Sequence, residues 1–234
     1  MRYYLQFPQI TKKTVIFLSA TILTGLSLTS CKEQQPPASN VQQTTPPVAQ
    51  PVSNQESLSI KNLQAAYNGE SNAHARYLAF AQKAKEEGYL QVASLFKAAA
   101  TAEAIHAANH AAVLRKQGAT PEAKIEKPEV KSTQENLSAA IEGESYERDK
   151  MYPEFIAQAN KEGNKEAVQT FEYAVAAEKE HAKFYAEAKD NLKEWKEAKK
   201  VFYVCPECGY TTDNLGFANC PECNTSKNLF LEVV

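Results

Sequence analysis

The sequence has no surplus of charge of either sign. Its formal net charge is −2 over 234 residues, so it lacks the broad basic field that draws proteins to nucleic acid, and nucleic acid is not an expected partner. Cysteine is scarce as well: five are present, four of them close to the C-terminus, and the chain is long enough to bury a core without disulfides. The N-terminal apolar run, Val15 to Leu28, is too short to cross a bilayer comfortably. It follows a basic start of Arg2, Lys12 and Lys13 and leads into Leu28-Thr29-Ser30-Cys31, the order of a bacterial lipoprotein signal. In such signals the chain is cut before the cysteine, which then receives lipid, so Cys31 is expected to anchor an exported protein to a membrane surface. An uncleaved anchor helix and a plain secretory signal with an incidental cysteine are the alternatives. The signal also lacks an Arg-Arg pair, so metal loading is expected after translocation rather than before it.

Residues 1–31 therefore read as signal, and residues 32–57 as a disordered linker rich in Gln, Pro, Ser and Thr, with no aromatic residue with which to build a core. From 58 to 198 apolar residues return every three or four positions, which predicts helices over 58–87, 89–117, 134–162 and 164–197. The breaks fall at Glu87-Gly88, at Glu162-Gly163-Asn164, and across Gly118 to Thr133 with Pro121 and Pro128. Two hairpins joined by one long crossover make an all-α four-helix bundle. Residues 199–234 form a small, loop-rich module with turn residues Gly209, Asp213, Asn214 and Gly216.

The two hairpins are copies of each other. Ala65-Ala66 and Gly69-Glu70-Ser71 recur 74 positions later as Ala139-Ala140 and Gly143-Glu144-Ser145. Tyr77, Glu103 and His106 recur 75 positions later as Tyr152, Glu178 and His181. The change of offset places one extra residue between Ser145 and Tyr152, and the following Pro153 has no N–H to give the helix. A π-bulge or kink is expected there.

Residues three apart on a helix share a face, so Glu103 with His106, Glu144 with Glu147, and Glu178 with His181 each present two side chains in one direction. Glu70 matches Glu144 through the repeat. Turned inward, these residues would bring five carboxylates and two imidazoles into the bundle, a charge that burial tolerates only when protons or metal neutralise it. Hard oxygen donors with imidazole suit a pair of iron or manganese ions. The repeat sets Ala73 opposite Glu147, so the site is asymmetric by one carboxylate. Tyr77 and Tyr152 are candidates to hydrogen-bond the ligand carboxylates or simply to pack the core. His74 and His110 are expected to face solvent or to lie behind the ligands.

Cys205-Pro-Glu-Cys208 and Cys220-Pro-Glu-Cys223 form two C-x-x-C knuckles, the spacing of a tetrahedral four-thiolate site. Spacing alone leaves zinc and iron both open, with disulfides as the alternative in an exported protein.

Taken in order, Gly69-Glu70-Ser71 to Tyr77, Glu103-x-x-His106, Gly143-Glu144 with Glu147, Tyr152-Pro153, Glu178-x-x-His181 and the terminal cysteines resemble the rubrerythrin family over nearly the whole expected mature domain. The resemblance implies a ferritin-like bundle followed by a rubredoxin-like module. It implies a di-iron centre held by Glu70, Glu103, Glu144, Glu147, Glu178 and His181, with Glu103 and Glu178 bridging, and iron rather than zinc on Cys205, Cys208, Cys220 and Cys223. His106 looks like the residue that replaces Glu147 on one iron upon reduction. The implied activity is a peroxidase that reduces hydrogen peroxide to water, with Glu147, His106, Tyr77 and Tyr152 as its working residues and the four-cysteine iron returning electrons. Family members commonly pass those electrons between subunits of a head-to-tail dimer, so a homodimer or higher oligomer is expected. Export would separate this chain from nicotinamide donors, so an extracytoplasmic electron donor is expected. A ferroxidase or iron-handling protein built on the same bundle, and a noncatalytic scaffold, are the competing readings. A carrier module is superfluous for the first, since a ferroxidase draws electrons from its own substrate.

Overall fold

The computed structural model describes residues 57–196 and 198–234. The signal, Cys31 and the linker up to residue 56 lie outside the described residues. Helices α1 (Leu58–Glu86) and α2 (Leu90–Lys116) form the first hairpin. The second is α3 (Thr133–Tyr146), continued through a π-helical turn (Glu147–Met151) into α4 (Tyr152–Glu162), and then α5 (Lys165–Asp190). The bundle is therefore the expected one. Among the described residues, no helix is long and apolar enough to cross a membrane.

Local chemistry accounts for the helix ends. The Ser57 hydroxyl accepts from the Ile60 N–H, and Ser132 with Glu135 forms a reciprocal capping box at the start of α3. Gly163 closes α4 in the left-handed conformation (φ 68°) that a side chain would resist. The extra residue is absorbed as expected: the Tyr152 N–H donates to the Glu147 carbonyl, five residues back. The last helix is shorter than expected. It ends at Asp190 rather than at 197, because the chain turns there to bury Trp195, whose ring stacks on Phe202 at 6.4 Å.

The long crossover lies along α1 in a ladder of hydrogen bonds. Gln64, Asn68 and Asn72, one helical turn apart, bond the backbone of Glu122, Lys124 and Glu126, alternate residues of an extended segment. Helical and extended periods therefore coincide over this stretch.

Among the described residues there are three apolar clusters, one around the cysteines of the module and two in the bundle. Of the two in the bundle, one gathers Tyr77, Phe80, Phe96 and Tyr185; the other gathers Leu63, Leu114, Tyr152 and Phe171. Each large buried side chain contributes about 1.5–3 kcal/mol through burial. The predicted ligands of the bundle belong to neither of these two. The C-terminal module is a three-stranded antiparallel sheet, ordered β2 (Thr211–Thr212), β1 (Phe202–Val204), β3 (Leu231–Val233), with two cysteine knuckles beside it.

Candidate metal centres

The helical spacing turns Glu70 on α1, Glu103 and His106 on α2, Glu144 on α3, and Glu178 and His181 on α5 into the bundle, where all six are buried. They form two overlapping groups: Glu70, Glu103, His106 and Glu178, and Glu103, Glu144, Glu178 and His181. In each group the ligand atoms lie within 4.8 Å of one another. Glu103 and Glu178 occur in both, the position of bridging carboxylates. Both imidazoles point Nδ1 at the carboxylates. His106 Nδ1 lies 2.9 Å from Glu103 Oε2 and 3.2 Å from Glu178 Oε1, and His181 Nδ1 lies 2.8 Å from Glu178 Oε2 and 3.4 Å from Glu103 Oε1.

Four carboxylate oxygens in this layer, Glu70 Oε2, Glu103 Oε1, Glu144 Oε2 and Glu178 Oε1, are buried without a hydrogen-bond partner. Burial, followed by the neighbouring acids, pushes Glu70 and Glu144 well above the usual carboxylate range. Burial alone would lower the His181 imidazole, but its hydrogen bond and attraction to Glu103, followed by those to Glu178, outweigh it and raise His181 to about 9. Donors of this kind, orphaned and mutually repelling, fit a pair of hard cations.

Glu147 stands apart from both groups. The π-turn directs it toward a cleft of about 790 Å³ that it shares with Arg76, Phe80 and the crossover loop. Burial raises its carboxyl, Glu178 and Glu103 add to the rise, and Arg76 opposes it. Ala73, its counterpart in the repeat, is buried.

Behind the ligands, the Tyr77 hydroxyl donates to Glu144 Oε1 at 2.6 Å, and the Tyr152 hydroxyl donates to Glu70 Oε1. Both tyrosines therefore hold ligands as well as pack the core. His110 is fully buried rather than solvent-facing. Its Nε2 lies 3.2 Å from the Tyr152 hydroxyl and its Nδ1 3.0 Å from Thr170 Oγ1, and burial, followed by His106, lowers it to about 3. Thr170 escaped the sequence reading, although its place on the inward stripe of α5 was a signal. His74 is half-buried, with Nδ1 2.6 Å from the Ala100 carbonyl.

The rubrerythrin family model matches residues 61–189. Rubrerythrin-2 of Clostridium acetobutylicum is 41% identical over 183 residues, covering 74% of this chain and 98% of that protein. The chain belongs to the rubrerythrin family. Nigerythrin of Nitratidesulfovibrio vulgaris is 40% identical over 73% of this chain and 84% of its own length. The structure of fully reduced, all-ferrous nigerythrin superposes with a TM-score of 0.70 at 38% identity, covering 77% of this chain and 91% of that one. A bacterioferritin of Desulfovibrio desulfuricans, 20% identical with a TM-score of 0.55, shares the fold. As in nigerythrin, this rubrerythrin has a di-iron site in the bundle and a four-cysteine iron site in its module, and it is an oxidoreductase.

The four sulfurs of that second site lie within 4.8 Å of one another, with Cys205 and Cys223 3.5 Å apart and Cys208 and Cys220 3.6 Å apart. These separations are far beyond a disulfide bond and near the edge of about 3.8 Å of a tetrahedron with metal–sulfur bonds of about 2.3 Å. A hydrogen bond from the Cys208 thiol, aided by the backbone N–H groups of Cys208 and Glu207, brings the Cys205 thiol down to about 5.

The module of this rubrerythrin packs on the bundle of its own chain, directly behind the two imidazoles. Thr211 Oγ1 lies 3.0 Å from His181 Nε2 and donates to the Gly209 carbonyl at 3.0 Å. Gly209 lies against His106: a Cβ there would sit 2.3 Å from Nε2, and its φ of 78° also disfavours a side chain. Asn109 Nδ2 bonds the Glu207 carbonyl at 2.8 Å, and Lys97 Nζ the Val234 carbonyl at 2.7 Å.

Proposed function

We propose that this protein is a peroxidase that reduces hydrogen peroxide to water, with electrons returned from the four-cysteine iron of the same chain. The observation that carries the reading is the close approach of Gly209, next in the chain to Cys208, to His106, reinforced by the Thr211 bond to His181. A one-electron carrier held against two imidazoles of the di-iron site supports the reading, because a protein oxidising ferrous iron does not need one.

When bound and reduced, the two irons supply two electrons and the Lewis acidity that polarises the O–O bond. The protein supplies the rest. Glu103 and Glu178 span the two halves of the site, and Tyr77 and Tyr152 fix the Glu144 and Glu70 carboxylates. His181 is locked as a ligand through its Nε2–H bond to Thr211. His106 Nε2 has no such partner, which suits a side chain that alternates with Glu147 at one metal. With His106 turned toward Glu103 and Glu178, Glu147 lines the cleft together with Arg76.

The signal and the Cys31 lipid anchor belong to the same proposal, as does a donor on the extracytoplasmic side. Metal analysis and rapid mixing of the reduced protein with peroxide test the activity. Fast oxidation with one peroxide consumed per di-iron centre is expected; zinc alone, or slow oxidation without peroxide consumption, overturns it. Membrane fractionation with labelled fatty acid tests the anchor: label is expected on the wild type and absent from Cys31→Ser.

A further inference from the structure

The repeat that matches Tyr77 with Tyr152 also matches the residues behind them, and there the two halves differ. Behind Tyr77, the 75-residue offset places Tyr185 and Leu95; the corresponding residues behind Tyr152 are His110 and Thr170. Around Tyr77 the surroundings are aromatic, with Phe80, Phe96 and Tyr185 within 6.2 Å between ring centroids, and the Tyr185 hydroxyl has no partner, so no line of hydrogen bonds runs on behind Tyr77 through Tyr185. Around Tyr152 a continuous line of hydrogen bonds leads outward to His110 and Thr170. Thr170 lines a surface cleft of about 230 Å³, together with Lys116, Glu166, Gln169 and Tyr173.

The polarity of this line is determined by counting hydrogens. Tyr152 has one hydroxyl hydrogen and gives it to Glu70. His110 Nε2 must therefore carry the proton and donate to the Tyr152 oxygen, which leaves neutral Nδ1 to accept from the Thr170 hydroxyl. Every donor points inward, from the cleft to the metal site. Packing does not require this arrangement, since the other half of the same bundle fills the equivalent places with Leu95 and Tyr185. Threading two polar groups through the cluster of Leu63, Leu114 and Phe171 costs desolvation that their hydrogen bonds only about offset.

We infer that Thr170, His110 and Tyr152 form a proton-conducting chain that delivers protons from the surface cleft to the Glu70 side of the di-iron site. The inference rests on the peroxidase reading, because reduction of one peroxide consumes two electrons, drawn from the two irons, and two protons, and yields two waters. Tyr152 passes its phenolic proton to Glu70 Oε1, from which it reaches a peroxide oxygen as the O–O bond breaks. The His110 Nε2 proton replaces it, the Thr170 proton replaces that one, and water in the cleft refills Thr170. Each carrier gains one proton as it loses one, so none changes its charge. Each passage leaves the imidazole as its Nδ1–H tautomer, and a ring flip restores it before the next.

The test uses Thr170→Val, which keeps the shape and removes the hydroxyl, with Thr170→Ser as the conservative variant and Tyr185→Phe as the control in the other half. In single-turnover mixing of the reduced, iron-loaded protein with peroxide, Thr170→Val is expected to slow oxidation by about tenfold or more. It should also alter the solvent deuterium isotope effect, while Thr170→Ser and Tyr185→Phe retain wild-type behaviour. The second readout needs no turnover. In the zinc-loaded protein, nitrogen NMR of the His110 ring is expected to show the Nε2–H tautomer, with its proton exchanging with solvent faster in the wild type than in Thr170→Val. Unchanged rate, isotope effect and exchange in Thr170→Val would overturn the chain. If the iron-loaded protein consumed no peroxide, the peroxidase reading would fall and the exchange measurement would still decide whether the chain conducts.

Discussion

Tyr77 and Tyr152 occupy matching places and perform matching tasks, each holding one ligand carboxylate. Burial, followed by Glu144 for Tyr77 and Glu70 for Tyr152, raises both phenols well above their usual value, so they remain donors throughout the physiological range. Tyr185 is the contrasting case, a buried hydroxyl with no partner. Removing it as Tyr185→Phe is expected to leave stability unchanged or to raise it by up to about 1 kcal/mol, read as the midpoint of urea unfolding, because no hydrogen bond is lost. Gly209 has no such latitude. Its φ and the 2.3 Å approach of a Cβ to His106 both forbid a side chain, so Gly209→Ala is expected to cost about 2 kcal/mol or more. It should also slow re-reduction of the di-iron site by the four-cysteine iron, measured by stopped-flow absorbance of the ferric thiolate band.

At the scale of elements, the π-turn is the device that makes the site asymmetric. One residue inserted into one of two matched helices puts Glu147, whose counterpart is Ala73, at the start of a π-turn beside the cleft, while Tyr152 still matches Tyr77 in holding a carboxylate. Element contacts also tie the two hairpins together at their ends. Glu162, the last residue of α4, accepts from the Ser57 hydroxyl and from the Leu58 and Ser59 N–H groups at the start of α1. The Ser57 hydroxyl first, with the bonds from Ser59 and Gln158, brings the Glu162 carboxyl down to about 2 against the opposing effect of burial. Since the folded value lies below the ordinary one near 4.5, its stabilisation is fully present above that ordinary value and disappears as pH falls through about 2. Glu162→Gln is therefore expected to lower stability at neutral pH by no more than about 1 kcal/mol, given its exposure. The difference from wild type should close in thermal melts taken from pH 5 down to pH 2.

At the scale of the whole molecule, the module docks on the bundle of its own chain. The family resemblance implies electron delivery between subunits, whereas this structure docks the module on its own bundle through Asn109, Lys97, Thr211 and the bare face of Gly209. Mixed oligomers can separate the two routes. A chain carrying Cys208→Ser, combined with one carrying Glu103→Ala, is expected to recover no peroxide turnover, because each defect disables its own chain; half of wild-type turnover would place delivery between subunits. Metal also contributes to stability at this scale. Stripping both sites with a chelator is expected to lower the melting temperature and to make the C-terminal module more susceptible to protease, as buried carboxylates and thiolates lose the cations that neutralise them.

The sequence by itself was enough for the bundle, the two knuckles, the repeat and the inward turn of Glu70, Glu103, His106, Glu144, Glu178 and His181, because each is a matter of helical spacing or of short-range spacing between cysteines; Glu147, expected to join them, stands apart in the cleft. The 74-to-75 change of offset even located the π-turn. What spacing could not reach was anything dependent on what lies opposite a residue. His110 appears as a lone histidine on an Ala-rich helix until α4 and α5 bring Tyr152 and Thr170 against it. Gly209 appears as a turn residue until the module docks and leaves no room between it and His106. The shortened last helix has the same cause, since Trp195 is buried only once Phe202 returns to meet it. These are contacts between segments far apart in the chain, and only the packed fold brings them together.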